Sequence, residues 1–495
     1  MGRVRDAVTS PHTWVSTSYF AEGYPYAIMH EVPKLLFTQL GASLQAIGMT
    51  SLLHLAWNLK FLWAPFVDAY ETKRRWLVGV EVGLSLSLMA LAFMSASTSL
   101  LGPIAVVMGL TALLAATHDL SIDGFYLEGL DEAAQSRYVG YRAMAYKLAM
   151  TLVKGPGVVL IGLIGWFGGL MAMALVMTLL AVVHAAILPR VERPQRSFLD
   201  LLRGLLRFRV FLGAGVLGAA LAIERQWVLL TPLWAKLRAV IADAPGLGGI
   251  SSAGWIALAL LLALLVGLAF LRPIQRQLRR SDSHYARAFV SFLAQEKVGR
   301  ILAFVVLFRT GESFLQSIKV PFLQRELGMS TIEYGVASGT FGLIASMVAT
   351  LAGGWLIARH GLRRWIWPFV LAQNVLNLVY VALAVVGGEG SPSMTTLTLA
   401  IAVEHFGEGL GTAVFMVYIM RCCDPRHKAA HMGILTAVMS LSFTIAGVSS
   451  GFIAEAVGYA NYFGFSFLAT VPGMVLIFAI PYLDGREQST VGAPA

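Results

Sequence analysis

The chain has 495 residues, of which 57% are hydrophobic and 13% are charged, and its mean hydropathy is +0.72. Soluble globular domains carry roughly 25% charged residues, so this composition excludes a soluble protein and indicates an integral membrane protein. The net charge of +10 does not indicate a nucleic-acid partner, because the basic residues lie in short connections between apolar runs. The two cysteines, Cys422 and Cys423, are adjacent, so we expect neither a disulfide framework nor a cysteine metal site.

Apolar runs of about 20 residues, the length that crosses a bilayer, recur along the chain and predict an all-α protein, because a helix satisfies its own backbone hydrogen bonds in lipid. Six spans are predicted near residues 13–30, 46–66, 76–96, 102–128, 138–165 and 169–189. Two less regular runs follow near 208–232 and 253–272. Six more spans are predicted near 300–325, 332–358, 365–387, 394–420, 430–457 and 461–483.

This pattern predicts about fourteen membrane helices in three parts. We expect a six-helix bundle over 1–190, a linker with two inserted helices and cytoplasmic segments over 191–299, and a second six-helix bundle with a short cytoplasmic tail over 300–495. The first span begins near Trp14 without a cleavage site, so we expect it to act as its own insertion signal.

Basic clusters occupy every second connection, near 73–75, 190–207, 272–280, 359–364 and 421–428. By the positive-inside rule, this pattern places both termini in the cytoplasm. Charges at these helix ends could also pair with neighbouring helix termini and close a cytoplasmic gate. The gating candidates are Asp68, Arg74, Arg75, Arg359, Arg363 and Arg364. A purely topological role is the alternative.

The two six-helix halves resemble each other. Val32–Leu35, followed by Leu40-Gly41 and Gly48, is matched by Val320–Leu323, Leu327-Gly328 and Gly335. Parallel six-helix halves are the architecture of the major facilitator transporters, which bind substrate near mid-membrane between the halves. The stretch Gly353–Arg364 resembles the signature of that superfamily.

Two segments of the first half resemble the AmpG-type permeases and the related acetyl-CoA transporters. They are Lys60–Asp68 and His118–Phe125, and the second matches a fourth-helix pattern of Gln-Asp-Ile, two variable residues and Asp. His118 stands where glutamine is usual, and the continuation Phe125–Glu128 differs from the common pattern. The resemblance implies a permease that uses the proton gradient to import anhydro-muropeptides across the bacterial inner membrane.

Charged residues inside the spans are the candidate site, because a charge in a bilayer is costly and usually faces a cavity. Asp119 and Asp123 are four residues apart, so they share one helix face at about 6 Å. With His118 beside them they could hold and release protons, although an ion pair that stabilises a gate is the alternative. Asp119 and Lys147 are expected at similar depths, where a pair between them would offset much of the cost of burial.

Further candidates lie on the first, fifth, seventh and tenth spans. Lys154, near the middle of the membrane, could bind a substrate carboxylate, whereas Arg142 could extend to the interface. Glu22 lies beside Gly23 and Pro25, which can open the helix toward a cavity. The second half contributes Glu312, Glu404 and Glu408, together with His405 and with Arg309, which could pair with Glu312. Tyr24, Tyr26, Trp57 and Trp63 could stack on sugar rings or serve only as core residues.

The charged residues favour a monomeric, proton-coupled symporter that works by alternating access, and the resemblance implies that it carries a small, sugar-containing solute. No catalytic constellation, phosphate-binding loop or metal cluster is apparent, so we expect no enzyme activity and no cofactor. A transporter of an acyl-CoA or another organic anion is one alternative. A membrane-embedded acyltransferase is another, although it would not predict two similar halves.

Overall fold

The computed structural model describes residues 10–60, 63–97, 100–190, 197, 200, 284–387, 392–424 and 428–484. These residues form helices joined by short turns, and the described part of the chain contains no strand. The two inserted helices predicted near 208–232 and 253–272 lie outside the described residues, as does most of the predicted linker.

The described part of the first half contains eight α-helices. They are α1 (Pro11–Gln39), α2 (Leu44–Met49), α3 (Leu55–Leu59), α4 (Ala64–Ala69), α5 (Lys73–Met94), α6 (Leu101–Gly129), α7 (Glu132–Leu152) and α8 (Val158–Ile187). A 3₁₀ turn over Thr50–His54 joins α2 to α3, and a π-helical turn over Val153–Gly157 joins α7 to α8. The second predicted span is therefore broken into short pieces.

The described second half follows the same plan. Its helices are α9 (His284–Leu293), α10 (Val298–Pro321), α11 (Thr331–Val336), α12 (Leu343–His360), α13 (Leu362–Leu376), α14 (Val379–Val386), α15 (Met394–Cys422), α16 (Lys428–Leu468) and α17 (Val471–Leu476). A π-helical turn over Phe322–Glu326 ends α10, and another over Ala337–Gly342 joins α11 to α12.

Polar side chains fix where several helices begin. Thr72, Asp131 and Ser393 each accept a hydrogen bond from a backbone N–H in the first turn of α5, α7 and α15. Ser330 and Glu333 form a reciprocal capping box at the start of α11. Such caps satisfy N–H groups that a helix start would otherwise leave without partners.

Glycines bend the chain at matching places in the two halves. α8 bends at Gly165, where φ is 77°, and α16 bends at Gly458, where φ is 75°. Only glycine adopts these angles without strain. The apolar stretches around these bends, Gly140–Ile187 and His431–Leu476, have 48 and 46 residues, and each is therefore long enough for two spans of about 20 residues.

The described residues contain eight stretches long and apolar enough to cross a membrane, among them those two double-length ones. α1 and the broken second span are not among the eight. α1 carries Glu22, Glu31 and Lys34, which lower its hydropathy. Large apolar side chains such as Phe93, Val106, Leu351 and Phe478 are exposed on the outer surface, as in a protein that faces lipid.

The two halves meet through close helix crossings and polar contacts. α2 crosses α16 where Gly48 faces Gly447 and Gly451, and the π-helical turn after α7 crosses the one after α11 where Gly155 faces Gly339. Toward the end of α1, Gln39 bonds to Thr331. Beside it Arg325 Nη2 donates to the Thr38 carbonyl at 2.6 Å. We call these last contacts, which join the halves at the Gln39 end of α1, the Gln39 gate.

Both cysteines are buried in the core of the second half. Cys422 is 0% exposed and Cys423 is 6% exposed, and neither forms a disulfide. The expectation of no disulfide at these positions agrees with the structure.

Candidate functional site

Charged and polar side chains from both halves lie near α1, where the halves face each other. They form a carboxylate cluster and a lysine cluster with residues of the first half, and a glutamate cluster in the second half. A fourth group, a histidine triad, is buried within the first half.

The carboxylate cluster consists of Glu22 on α1 and of Asp119 and Asp123 on α6. Asp119 is buried and forms an ion pair with Lys60. The predicted pair between Asp119 and Lys147 is wrong, because Lys60 occupies this position and Lys147 is exposed. The turn after α3, which brings Lys60 to α6, was not foreseen from the sequence.

Asp123 is held by two partners at the same oxygen. Tyr19 donates its hydroxyl to Oδ1 at 2.8 Å, and Arg142 Nη2 lies 2.9 Å from the same atom. The Arg142 guanidinium also lies 4.4 Å from the centroid of the Tyr19 ring, a cation–π contact. Arg142 therefore serves the carboxylate cluster and does not extend to the interface.

Glu22 completes the carboxylate cluster from α1. Its carboxyl group lies within hydrogen-bonding reach of that of Asp119, and its Oε2 is buried without a partner. Two carboxyl groups can hydrogen bond only when one of them carries a proton. The cluster thus brings three carboxyl groups against two cations, Lys60 and Arg142, and the geometry provides a place for a proton.

The histidine triad consists of Glu81 on α5, His118 on α6 and His184 on α8. Glu81 Oε1 lies 3.2 Å from His118 Nε2 and 2.6 Å from His184 Nδ1, and all three side chains are 0% exposed. His118 is therefore turned away from the Asp119 side of α6. The sequence reasoning missed Glu81 and His184, although a lone glutamate in the apolar run 76–96 was a usable signal.

The lysine cluster consists of Glu31 and Lys34 on α1 and of Lys154 in the π-helical turn after α7. Lys154 Nζ lies 3.8 Å from Glu31 Oε2. Tyr334 of the second half donates its hydroxyl to Glu31 Oε1 at 2.6 Å, and Lys34 Nζ donates to the Gln316 carbonyl at 3.2 Å. Lys34 and Lys154 are both half-buried. Glu31 and Lys34 were missed because they lie where α1 extends beyond its predicted span.

Aromatic rings adjoin the lysine cluster on α1 and the second span. The Tyr26 and His30 rings stack with centroids 3.8 Å apart, and His54 and Trp57 pack against His30 at 4.1 and 5.2 Å. We call Tyr26, His30, His54 and Trp57 the aromatic platform.

The other two predicted aromatic residues lie elsewhere. Tyr24 is buried against Phe20 in the core of the first half. Trp63 donates its ring N–H to Thr117 Oγ1 at 3.1 Å. Tyr24 and Trp63 therefore serve packing rather than the platform.

The glutamate cluster consists of Glu312 on α10 and of Glu404 and Glu408 on α15. Glu404 is fully buried, and its Oε2 lies 3.2 Å from Lys319 Nζ and 2.7 Å from His405 Nδ1. Gln316 links the helices by donating to Glu312 at 2.6 Å and to Glu404 at 3.1 Å. The cluster therefore ties α10 to α15 beside the interface between the halves.

Arg309 does not pair with Glu312. It donates instead to Thr412 Oγ1 at 2.9 Å and packs over the Phe415 ring. Besides the bond from Gln316, Glu312 Oε2 accepts a hydrogen bond from Asn377 Nδ2 at 3.3 Å. The suggested ion pair within α10 is therefore wrong.

Glu404, His405 and Glu408 have a spacing that suits a metal ion, since their ligand atoms lie within 4.8 Å of one another. The Lys319 ammonium already supplies a positive charge to Glu404. An ammonium and a metal ion would compete for that carboxylate, so these contacts favour an ion pair rather than a metal centre.

The six gating candidates make their described contacts within their own half. Lys73 pairs with Asp68 at 2.5 Å and Arg75 with Glu71 at 2.6 Å, while Arg74 donates to the Ala185 and Leu188 carbonyls at the end of α8. Arg363 pairs with Asp484, Arg359 packs over the Trp355 ring, and Arg364 is exposed. The Gln39 gate, by contrast, joins the two halves directly.

Comparison with known proteins supports a transporter. The family described as the Major Facilitator Superfamily matches residues 301–493. The anhydromuropeptide permease of Escherichia coli strain K12 is 24% identical over 469 residues, which cover 92% of this chain and 77% of that protein. The putative transporter AmpG 4 of Rickettsia felis is 20% identical over 472 residues, or 94% of each chain. The resemblance to AmpG-type permeases inferred from the sequence is thereby confirmed.

Solved structures show the same fold. The crystal structure of peptide transporter POT in complex with sulfate superimposes with a TM-score of 0.64 over 95% of this chain and 94% of that chain, at 14% sequence identity. The second half of the chain thus matches the Major Facilitator Superfamily, and the chain as a whole shares its fold with a peptide transporter and resembles AmpG-type permeases along most of its length. The relatives and the solved structure named above are permeases and transporters rather than enzymes.

Proposed function

We propose that this major facilitator transporter imports an anhydro-muropeptide, or a closely related saccharide that bears a carboxylate, by proton symport across the bacterial inner membrane. The protein acts as a monomer, with the two halves rocking about a substrate site between them. The names of its AmpG relatives support this substrate class.

The observation that carries the proposal is the charge balance of the lysine cluster. Two half-buried ammonium groups, Lys34 and Lys154, share the single carboxylate of Glu31. A positive charge left uncompensated inside a membrane protein is costly and is usually retained for function. A substrate carboxylate, such as a lactyl or peptide group, would supply the missing negative charge.

The aromatic platform provides the second part of a saccharide site. Tyr26, His30 and Trp57 lie on the same region of α1 and the second span as the lysine cluster and are half-buried. A sugar ring presents apolar C–H faces that pack on aromatic rings, while its hydroxyl groups bond to polar neighbours. The site thus combines an anion-binding part with a sugar-binding part.

The carboxylate cluster is the proposed coupling site. Glu22 and Asp119 must share a proton when they bond to each other, and Lys60 and Arg142 compensate the remaining charge. Loss of that proton leaves three carboxylates against two cations in a membrane interior. The cluster therefore favours the protonated state until an opening to the cytoplasm admits water.

Uptake by purified protein in proteoliposomes tests the proposal. With an inward proton gradient, we expect accumulation of labelled anhydro-disaccharide that a protonophore abolishes. A Glu22→Gln variant should keep exchange of solute across the membrane but lose accumulation. Accumulation that the protonophore does not reduce would contradict proton coupling. Failure to transport any anhydro-saccharide would contradict the proposed substrate class.

An organic-anion transporter is the second candidate, since ammonium groups also bind phosphate. The lysine cluster on its own does not distinguish a carboxylate from the phosphates of an acyl-CoA, but the adjoining aromatic platform favours a sugar. A competition experiment distinguishes the two candidates. An excess of unlabelled coenzyme A thioester should leave saccharide uptake unchanged, whereas strong inhibition would favour the organic-anion transporter.

A further inference from the structure

The histidine triad lies apart from the substrate site and has an unusual charge balance. Glu81, His118 and His184 are all completely buried within the first half. In the described structure Glu81 bonds to both rings through one oxygen, while Glu81 Oε2, His118 Nδ1 and His184 Nε2 are buried without partners. Two imidazole rings thus share one oxygen of a buried carboxylate, whose negative charge is costly to bury unless it is compensated.

The charges that face the triad do not neutralise it. Glu81 interacts electrostatically with His118 and His184. Among the other charged groups on the same helices, Asp119 is paired to Lys60, Asp123 to Arg142, Lys73 to Asp68 and Arg75 to Glu71, and Arg74 donates to carbonyls at the end of α8. With both rings neutral, the triad would hold a buried negative charge without a cation.

We infer that Glu81, His118 and His184 form a second proton-binding site, which holds one proton as an imidazolium beside the Glu81 carboxylate. The proton neutralises the buried charge and makes the hydrogen bond to Glu81 charge-assisted. His184, at 2.6 Å from Glu81 Oε1, has the shorter contact and is the preferred carrier. His118 leaves α6 about 100° around the helix from Asp119, and the triad is completely buried, so a substrate between the halves would not contact this proton directly.

His118, whose role the sequence did not determine, is one of the two rings of this proton-binding site. A glutamine at this position, the usual residue in the resembling permeases, could donate to Glu81 but could not carry a proton. Because His118 and Asp119 are neighbours on α6, the charge of the triad and that of the carboxylate cluster act on the same helix. The first half thus contains two proton sites on different faces of one helix.

Nitrogen NMR of the full-length protein tests the inference directly. The protein is labelled with ¹⁵N-histidine, placed in lipid nanodiscs without substrate and titrated from about pH 8 to pH 5, the range in which histidine changes charge. His118→Gln and His184→Gln variants assign the two rings. We expect one of these rings to be an imidazolium at neutral pH and to become neutral in Glu81→Gln.

A matched control is Glu455→Gln, which removes an exposed carboxylate on α16 and should leave both ring signals unchanged. Two neutral rings at His118 and His184 in the wild-type protein across the whole titration would overturn the inference. The experiment uses no substrate, so a failure of the proposed transport function leaves its outcome intact.

Discussion

The lysines of this protein differ in which carboxylate balances their charge. This difference depends on the fold more than on the spacing of the lysines in the sequence. Lys147 and Lys154 lie seven residues apart, and from spacing alone both were candidates. The structure turns Lys147 outward, whereas the π-helical turn over Val153–Gly157 carries Lys154 to Glu31. Such a turn shifts the helical register by one residue, which no apolar period predicts.

Lys154→Met is expected to reduce uptake of the saccharide by about 10- to 100-fold, because a charged hydrogen bond to substrate contributes about 1.5–3 kcal/mol. Initial rates of uptake in proteoliposomes measure the effect. Lys147 is an exposed lysine on α7, seven residues before Lys154. The control variant Lys147→Met should therefore retain the wild-type rate. Equal losses in the two variants would contradict the assignment of Lys154 to the site.

Lys60→Met is expected to destabilise the protein by about 3–5 kcal/mol, because it leaves the buried Asp119 carboxylate without its partner. The double variant Lys60→Met/Asp119→Asn should recover most of that loss, since no buried charge remains. Thermal unfolding in detergent, followed for both single variants and the double variant, measures the coupling. Additive losses would show that the two residues do not depend on each other.

At the level of helices, the close crossings between the halves depend on glycine. A Cβ at Gly339 would overlap the backbone at Lys154 and Gly155. Sequence reasoning identified repeated glycines such as Gly48 and Gly335 as markers of the duplication, but it did not identify them as contact points. The partner helices that approach them are distant in sequence, so the pattern of one segment does not reveal them.

Gly339→Val is therefore expected to separate the two π-helical turns and to destabilise the closed arrangement by about 1–3 kcal/mol, the usual cost of overpacking. Uptake should fall severely while membrane insertion persists. Gly354→Val, at a glycine with open space around it, is the matched control. Wild-type transport by Gly339→Val would show that this crossing does not need close approach.

The Gln39 gate gives a second test at the level of helices, since it joins the C-terminal end of α1 to the start of α11. In Gln39→Cys/Thr331→Cys, an oxidant should form a disulfide between the two halves and stop transport, and a reductant should restore it. The single variants, treated in the same way, should remain active. Full transport by the cross-linked protein would exclude opening at this end.

Over the whole molecule, composition and hydropathy sufficed to predict a helical membrane protein. They could not predict the pieces of the second span, because a 3₁₀ turn such as Thr50–His54 leaves the apolar pattern intact. They also ended the first span near residue 30, whereas α1 continues to Gln39, because Glu31 and Lys34 lower the hydropathy of its last turns.

The orientation predicted from the basic clusters can be measured on the intact chain. Green fluorescent protein fused to either terminus should fluoresce, because it folds in the cytoplasm, whereas alkaline phosphatase at the same positions should be inactive. A fusion of alkaline phosphatase after Gly41, which follows α1, should be active and serves as the control. Active alkaline phosphatase and no fluorescence at the termini would contradict the expected topology.

The two buried thiols of Cys422 and Cys423 make the native chain well suited to spectroscopy. Water-soluble maleimide dyes require accessible thiolate, so they should react with introduced surface cysteines and leave these two unmodified. A donor and an acceptor fluorophore placed on opposite halves could then follow single turnovers without a cysteine-free background, and the natural core packing around both sulfur atoms would be preserved.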